Sequence, residues 1–184
     1  MLCIVLGIPG VGKTTVLRAV AKKVDVTKFN FGDYMFAEAK RAGLVEDRDD
    51  MRKLPKKKQL ELQHQAAEKI HKESRAGKVI VDTHSSIKTP TGYIIGLPES
   101  ILRALNPETI ILLEYDPKYI RKRRLKDASR ERDVDSIEQI EEHQMMNRCF
   151  AAVYANFANA TLLIVQNEQG GVDEAAEKIA KVFK

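Results

Sequence analysis

The residues Gly7-Ile8-Pro9-Gly10-Val11-Gly12-Lys13-Thr14 have the spacing G-x-x-x-x-G-K-T, and that spacing is built to hold phosphate. Glycines allow the backbone N–H groups around Gly10 and Gly12 to turn inward on phosphate oxygens, and the start of a following helix adds positive potential. Lys13 is expected to reach the β- and γ-phosphates of a nucleotide, and the Thr14 hydroxyl to ligate Mg²⁺. A tight strand-to-helix turn with no ligand is the competing reading. The flanks argue against it. The apolar run 2–6 precedes the loop and an amphipathic stretch follows it, which is the strand–loop–helix order of a phosphate cradle. A nucleoside triphosphate, or something of its shape, is the expected ligand.

Other residues could complete such a site. Val79-Ile80-Val81-Asp82 reads as a buried strand ending in a carboxylate, and Asp82 is a candidate to hold Mg²⁺ directly or through water. Glu114, at the end of the apolar run 110–113, is its rival. Asp82 is preferred because polar residues and a new loop follow it at once. Phe31-Gly32-Asp33 ends a strand and opens a helix, so Asp33 reads as an N-cap, as a carboxylate near the metal, or as both. Basic residues cluster at 48–58 and again at 118–132, the second cluster ending in Arg130-Glu131-Arg132-Asp133 between two helical patterns. A charge run is usually a solvated face. Phosphoryl transfer, however, needs positive charge around the moving group, and the arginine fork grips phosphate oxygens in pairs. The second cluster therefore reads as a lid. Tyr119 is the one aromatic within it, so nucleic-acid binding is not expected. The four histidines have no zinc spacing. His64 and His71 are expected at a helix surface, whereas Asp82-Thr83-His84 places His84 on the catalytic side.

These residues need a scaffold. Strand patterns fall at 2–6, 26–31, 78–82, 109–115 and 161–165, and three of them are continuous apolar runs of the kind buried on both faces of a parallel sheet. Helical patterns separate them at 14–24, 33–42, 56–76, 98–105, 117–128, 136–158 and 173–183. The alternation predicts a three-layer, doubly wound α/β fold with five parallel strands, and ligands outside the strands' carboxyl ends. With 184 residues, 43% hydrophobic and 31% charged, the chain suits one globular domain over 1–184. No apolar run approaches a membrane span of about 20 residues. The phosphate loop starts so near Met1 that no signal peptide is expected ahead of it. Cys3 and Cys149, in no redox or metal spacing, point to reduced thiols and a cytoplasmic location. The net charge of +5 suits phosphate-rich substrates as well as nucleic acid. On these motifs alone, an AMP kinase, another small P-loop kinase acting on CMP, UMP or a hydroxylated metabolite, and a P-loop ATPase acting as an assembly or RNA-associated factor all remain open.

Further words in the sequence narrow the field. The phosphate loop through Thr15, Phe31-Gly32-Asp33, Asp47 to Leu54, Asp82-Thr83-His84, Thr89 to Pro98, His143 to Arg148 and Ile164-Val165-Gln166-Asn167 together resemble the short-lid, archaeal type of adenylate kinase, nearly end to end. The resemblance implies Mg·ATP + AMP ⇌ 2 ADP. It implies that Gly7, Ile8, Pro9, Gly10, Val11, Gly12, Lys13, Thr14 and Thr15 hold the ATP phosphates, with Asn167 beside the adenine. Arg124, Arg130 and Arg132 resemble lid arginines in a segment at about 124–136. Asp33 and a flap at about 33–54 resemble the AMP side, with Arg52 on the AMP phosphate. His84 also falls on the AMP side, and the segment 89–98, with Tyr93, Gly96 and Leu97, would line the AMP base. The family resemblance further implies a homotrimer. The chain departs from the bacterial pattern at Phe36, where an arginine is usual, and at Asp82-Thr83-His84-Ser85-Ser86, where Asp-Gly-Phe-Pro-Arg is usual.

Overall fold

The computed structural model of the chain describes residues 1–126 and 135–184; the side chains of Asp49 and Arg52 also lie outside the description. Strand β1 (Leu2–Leu6) runs through the centre, with all five residues buried. Beside it lie β3 (Val79–Asp82) and β6 (Thr109–Glu114), with β2 (Thr27–Asn30) and β7 (Thr161–Gln166) at the edges, giving the parallel order β2-β3-β1-β6-β7. Alternate side chains of the central strands serve two cores, as the strand period of two demands. Leu2, Ile4, Leu6, Val79, Val81, Ile110 and Leu112 face α3 (Lys56–Ser74), α4 (Glu99–Leu105) and α6 (Ile137–Ala158). Cys3, Val5, Ile80, Ile111 and Leu113 face α1 (Lys13–Ala21) and α7 (Val172–Lys181). This is the three-layer, five-stranded parallel architecture expected from the alternating patterns. Helix α5 (Pro117–Lys126) starts just after β6, and α2 (Phe31–Arg41) just after β2.

Two local features differ from the sequence reading. Helix α2 begins at Phe31 rather than after it, and its N-cap is Asn30, whose side chain accepts from the Asp33 backbone N–H at 3.1 Å. Asp33 thus sits in the first turn, where its charge suits the helix dipole but does not cap the helix. The segment 89–98, read as lining the AMP base with no strand assigned to it, overlaps a hairpin: β4 (Ser86–Thr89) pairs antiparallel with β5 (Gly92–Ile95), outside the main sheet. Its strands are four residues each and, apart from Ser86, exposed or half-buried, and give no buried-strand signal. His64 and His71 also do more than face water. His64 Nε2 lies 3.1 Å from Ser100 Oγ and His71 Nδ1 3.0 Å from the Leu105 carbonyl oxygen, so both fasten α3 to α4.

Candidate active site

The parallel sheet changes winding direction at β1, and the loop after β1 therefore opens into the crevice where such folds take ligands. Gly10 and Gly12 hold φ of 90° and 98°, the left-handed region that glycine enters freely. Space is limiting too. A Cβ on Gly12 would lie 2.7 Å from Asn167 Nδ2 and 2.9 Å from an Arg123 guanidinium nitrogen. Gly12 is the N-cap of α1 without a side-chain cap, and no acid occupies the first turn. The N–H groups at Lys13 to Thr15 are thus presented to an incoming anion. Thr14 and Thr15 are exposed, while Lys13 is buried and its Nζ donates to the Gly7 carbonyl at 2.6 Å.

Register places the metal candidate. Val5 of β1 pairs with Asp82 of β3, and Asp82 in turn is opposite Asn30 of β2. Lys13 Nζ lies 3.8 Å from the Asp82 carboxylate, both side chains about nine-tenths buried. Burial pushes the Lys13 ammonium down, with Asp82 pulling it back up; burial pushes Asp82 up, with Lys13 and then Lys28 pulling it down. Each charge is thus only partly compensated, as expected of groups that await further charge. The rival acid, Glu114, is differently placed. Its carboxylate accepts from Arg148 at 2.5 and 2.6 Å and from Gln166 at 2.6 Å.

Arginines of α5 brace the loop from the other side. Arg124 Nε donates to the Pro9 carbonyl at 2.9 Å, and Arg123 donates to the Gly10 and Val11 carbonyls at 3.3 and 3.4 Å. The Arg123 guanidinium also lies over the Tyr115 ring, 4.2 Å from its centroid. Asn167 Nδ2 donates to the Val11 carbonyl at 2.8 Å, and its Oδ1 is a buried acceptor with no partner among the described residues. Beside it opens a cleft of about 510 Å³ that includes Tyr115, Tyr119, Gln144, Arg148 and Glu168, room enough for a purine base. Ile8, Val11 and the Gly7 backbone form the loop's buried floor. Among the donor-side residues read from sequence, the structure brings together 7–15, Asp82, Arg124 and Asn167. Arg130 and Arg132 lie outside the described residues.

The hairpin docks on α6. Tyr93 Oη donates to Glu142 at 3.1 Å and its ring lies 5.2 Å from that of His143. Ser86 Oγ donates to Asn147 Oδ1 at 2.6 Å, which leaves it to accept from His143 Nε2 at 3.1 Å. Tyr154 Oη donates to the Ser85 carbonyl at 2.6 Å and accepts from the Gly96 and Leu97 N–H groups at 3.2 and 3.4 Å. A Cβ on Gly96 would run into the His84 carbonyl and lie 2.8 Å from that of Ser85. Gly96 and buried Leu97 therefore root the hairpin, whereas His84 is exposed at the end of β3. Asp33 forms an ion pair with Arg48, from the 3-10 turn Arg48–Lys53 that also carries Arg52. The Arg52 side chain lies outside the described part. Lys88 and Asp135 were not singled out from sequence, and Arg123 and Arg148 entered only as members of the 118–132 cluster and the His143 to Arg148 word, without a role of their own. They become visible only as partners, because nothing in local spacing distinguishes them from surface charges.

A five-stranded parallel sheet with a glycine-rich loop, a buried lysine and a carboxylate on the neighbouring strand defines a P-loop phosphate-binding protein. The solved shikimate kinase from Bacteroides thetaiotaomicron shares the fold, with a TM-score of 0.60 at 14% identity over 99% of this chain and 97% of that one. A family model described as an AAA domain matches residues 6–141. Curated relatives narrow the class. An adenylate kinase of Thermoplasma acidophilum is 50% identical over 100% of this chain and 98% of its own length. Adenylate kinases of Pyrococcus furiosus and Methanococcus vannielii are 47% and 45% identical, each over 98% of this chain and 93% and 97% of their own lengths. The chain belongs to the adenylate kinase family.

Proposed function

We infer that the adenylate kinase reaction, ATP + AMP ⇌ 2 ADP, runs here with the ATP phosphates on the backbone of residues 7–15 and the AMP between the hairpin and α2. The observation that carries the donor half is the uncapped start of α1, with Lys13 Nζ 3.8 Å from Asp82 across the β1–β3 pair. Lys13 neutralises and orients the transferred phosphoryl group. Arg124, held to the loop by Pro9, supplies a second positive charge. Arg130 and Arg132 extend that set on the strength of the family resemblance. The cleft beside Asn167 takes the donor base. On the acceptor side Asp33, Arg52, His84 and Tyr93 form the proposed AMP surface, while Gly96 and buried Leu97, read from sequence as lining it, support it from the root of the hairpin instead. Little covalent work is asked of the protein, since alignment and charge lower most of the barrier.

The donor atoms at Thr14 and Asp82 fit magnesium. They are a hydroxyl and a carboxylate, all oxygen, and burial has raised the energy of the Asp82 charge, which a hard cation would lower. When bound, Mg²⁺ supplies charge neutralisation on the phosphate oxygens. The exposed Ile87, Ile94 and Ile95 of the hairpin favour self-association, and the homotrimer is the proposed assembly, to be checked by sedimentation at three times the 20.8 kDa chain mass. A cytoplasmic location accords with the unpaired Cys3 and Cys149 thiols. Among the described residues no helix is long and apolar enough to cross a membrane. Replacing Lys13 with Ala tests the donor assignment. The variant is expected to keep its circular dichroism and lose roughly a hundred- to a thousandfold in kcat; full activity would remove Lys13 from the site.

A further inference from the structure

Between the phosphate loop and the hairpin lies a group of charges that neither explains alone. Asp135, just ahead of α6, accepts from Lys88 Nζ of the hairpin at 2.9 Å through Oδ1 and from Arg124 Nη1 of α5 at 2.6 Å through Oδ2. Arg124 has only 7% of its side chain exposed, Asp135 19% and Lys88 28%. The same Arg124 donates through Nε to Pro9 in the phosphate loop. A continuous path therefore runs from phosphate loop to hairpin through three charged side chains, with two cations sharing one anion. Burial raises the Asp135 carboxyl, but hydrogen bonds and charge from Lys88 and Arg124 outweigh it and hold the group below its ordinary value. It is ionised at neutral pH, so the triad carries one surplus positive charge. Without the carboxylate, a buried and a largely buried cation would face one another and separate.

We propose that Asp135 is a positioning residue for phosphoryl transfer, which ties Lys88 of the acceptor wall to Arg124 of the donor wall and so fixes the distance between the two halves of the site. Rigid coupling matters because the reaction joins two nucleotides, each held by a different wall, and a misplacement of about 1 Å between reactants costs on the order of a hundredfold. One acid in place of two independent ones also keeps the site net positive for phosphates. The second role of Asp135, next to the Ser136 cap of α6, is to hold these cations at the foot of the helix on which the hairpin is docked. This inference rests on the reading of Arg124 as part of the donor site, and the test separates the two.

The test is steady-state kinetics, with thermal melts, on D135N, D135E, K88M and the D135N/K88M double variant, beside R124A. With the triad as proposed, D135N keeps its fold and KM values within about threefold. Its kcat falls on the order of ten- to a hundredfold, while D135E, which retains the charge, recovers part of the loss. The double variant loses no more than the worse single variant, because both break the same link. Unchanged kcat in D135N, or additive losses, would overturn the proposal. If D135N does not fold, K88M reads the same link from the hairpin side, and its full kcat is equally decisive against it. R124A sets the reference: activity lost there and kept in D135N overturns the coupling but leaves the Arg124 assignment standing, whereas full activity in R124A overturns that assignment itself.

Discussion

At the scale of single residues, the site is governed by charges and polar groups taken out of water. Lys13 and Asp82 illustrate it, and His143 extends it to the acceptor wall. Burial depresses the His143 imidazole below its ordinary value of 6.5; the Ser86 contact opposes this, and the Arg124 charge adds to it. A histidine depressed in the folded state is charged more easily in the unfolded chain. Its contribution to stability is thus fully present above about pH 6.5 and is lost as pH falls from there toward its folded value. Urea midpoints measured at pH 7.5 and 5.5 are expected to drop on acidification, and to drop less in His143→Gln. An equal drop in both would show that His143 does not carry the effect. The meeting of Lys13, Thr14 and Asp82 at one loop was legible from spacing because the phosphate motif is contiguous and the carboxylate ends an apolar run. Asp135 was not, since its partners stand 47 and 11 residues away.

At the scale of elements, the informative pieces are β1 with its loop, α6, and the hairpin. The central strands could be read from their unbroken apolar runs, which a sheet covered on both faces requires. The hairpin could not. Residues 86–95 carry Lys88, Thr89, Pro90, Thr91 and Gly92, and their order comes from docking on α6 rather than from hydrophobic burial. The Asn30 cap was hidden because it stands three residues ahead of Asp33, the residue the Gly-Asp pair offered as cap. Tyr154 is the anchor of this arrangement, with its hydroxyl serving three backbone groups at the root of the hairpin. Tyr154→Phe removes one oxygen and takes the side-chain partner from the Leu97 N–H, while the Gly96 N–H and the Ser85 carbonyl keep their bond to each other at 2.9 Å, at an expected cost of about 1–3 kcal/mol in urea unfolding. Because the hairpin is the proposed AMP wall, the KM for AMP is expected to rise while that for ATP holds. Equal shifts in both would mean that the hairpin serves the site as a whole rather than the acceptor.

At the scale of the molecule, the hairpin docked on α6 and helix α5 meet through Asp135 beside the phosphate loop. The α/β alternation and the order of motifs made the fold and family readable before any coordinates, whereas that meeting is a property of tertiary packing alone. The central claim is that these elements form a two-nucleotide site with AMP as acceptor. It is tested most directly by following ATP consumption and product formation with the wild-type chain and a panel of AMP, CMP, UMP and small hydroxylated acceptors. The account predicts rapid turnover with AMP, two ADP formed for each ATP consumed. Fast phosphorylation of CMP with none of AMP, or ATP hydrolysis that no acceptor accelerates, would contradict it.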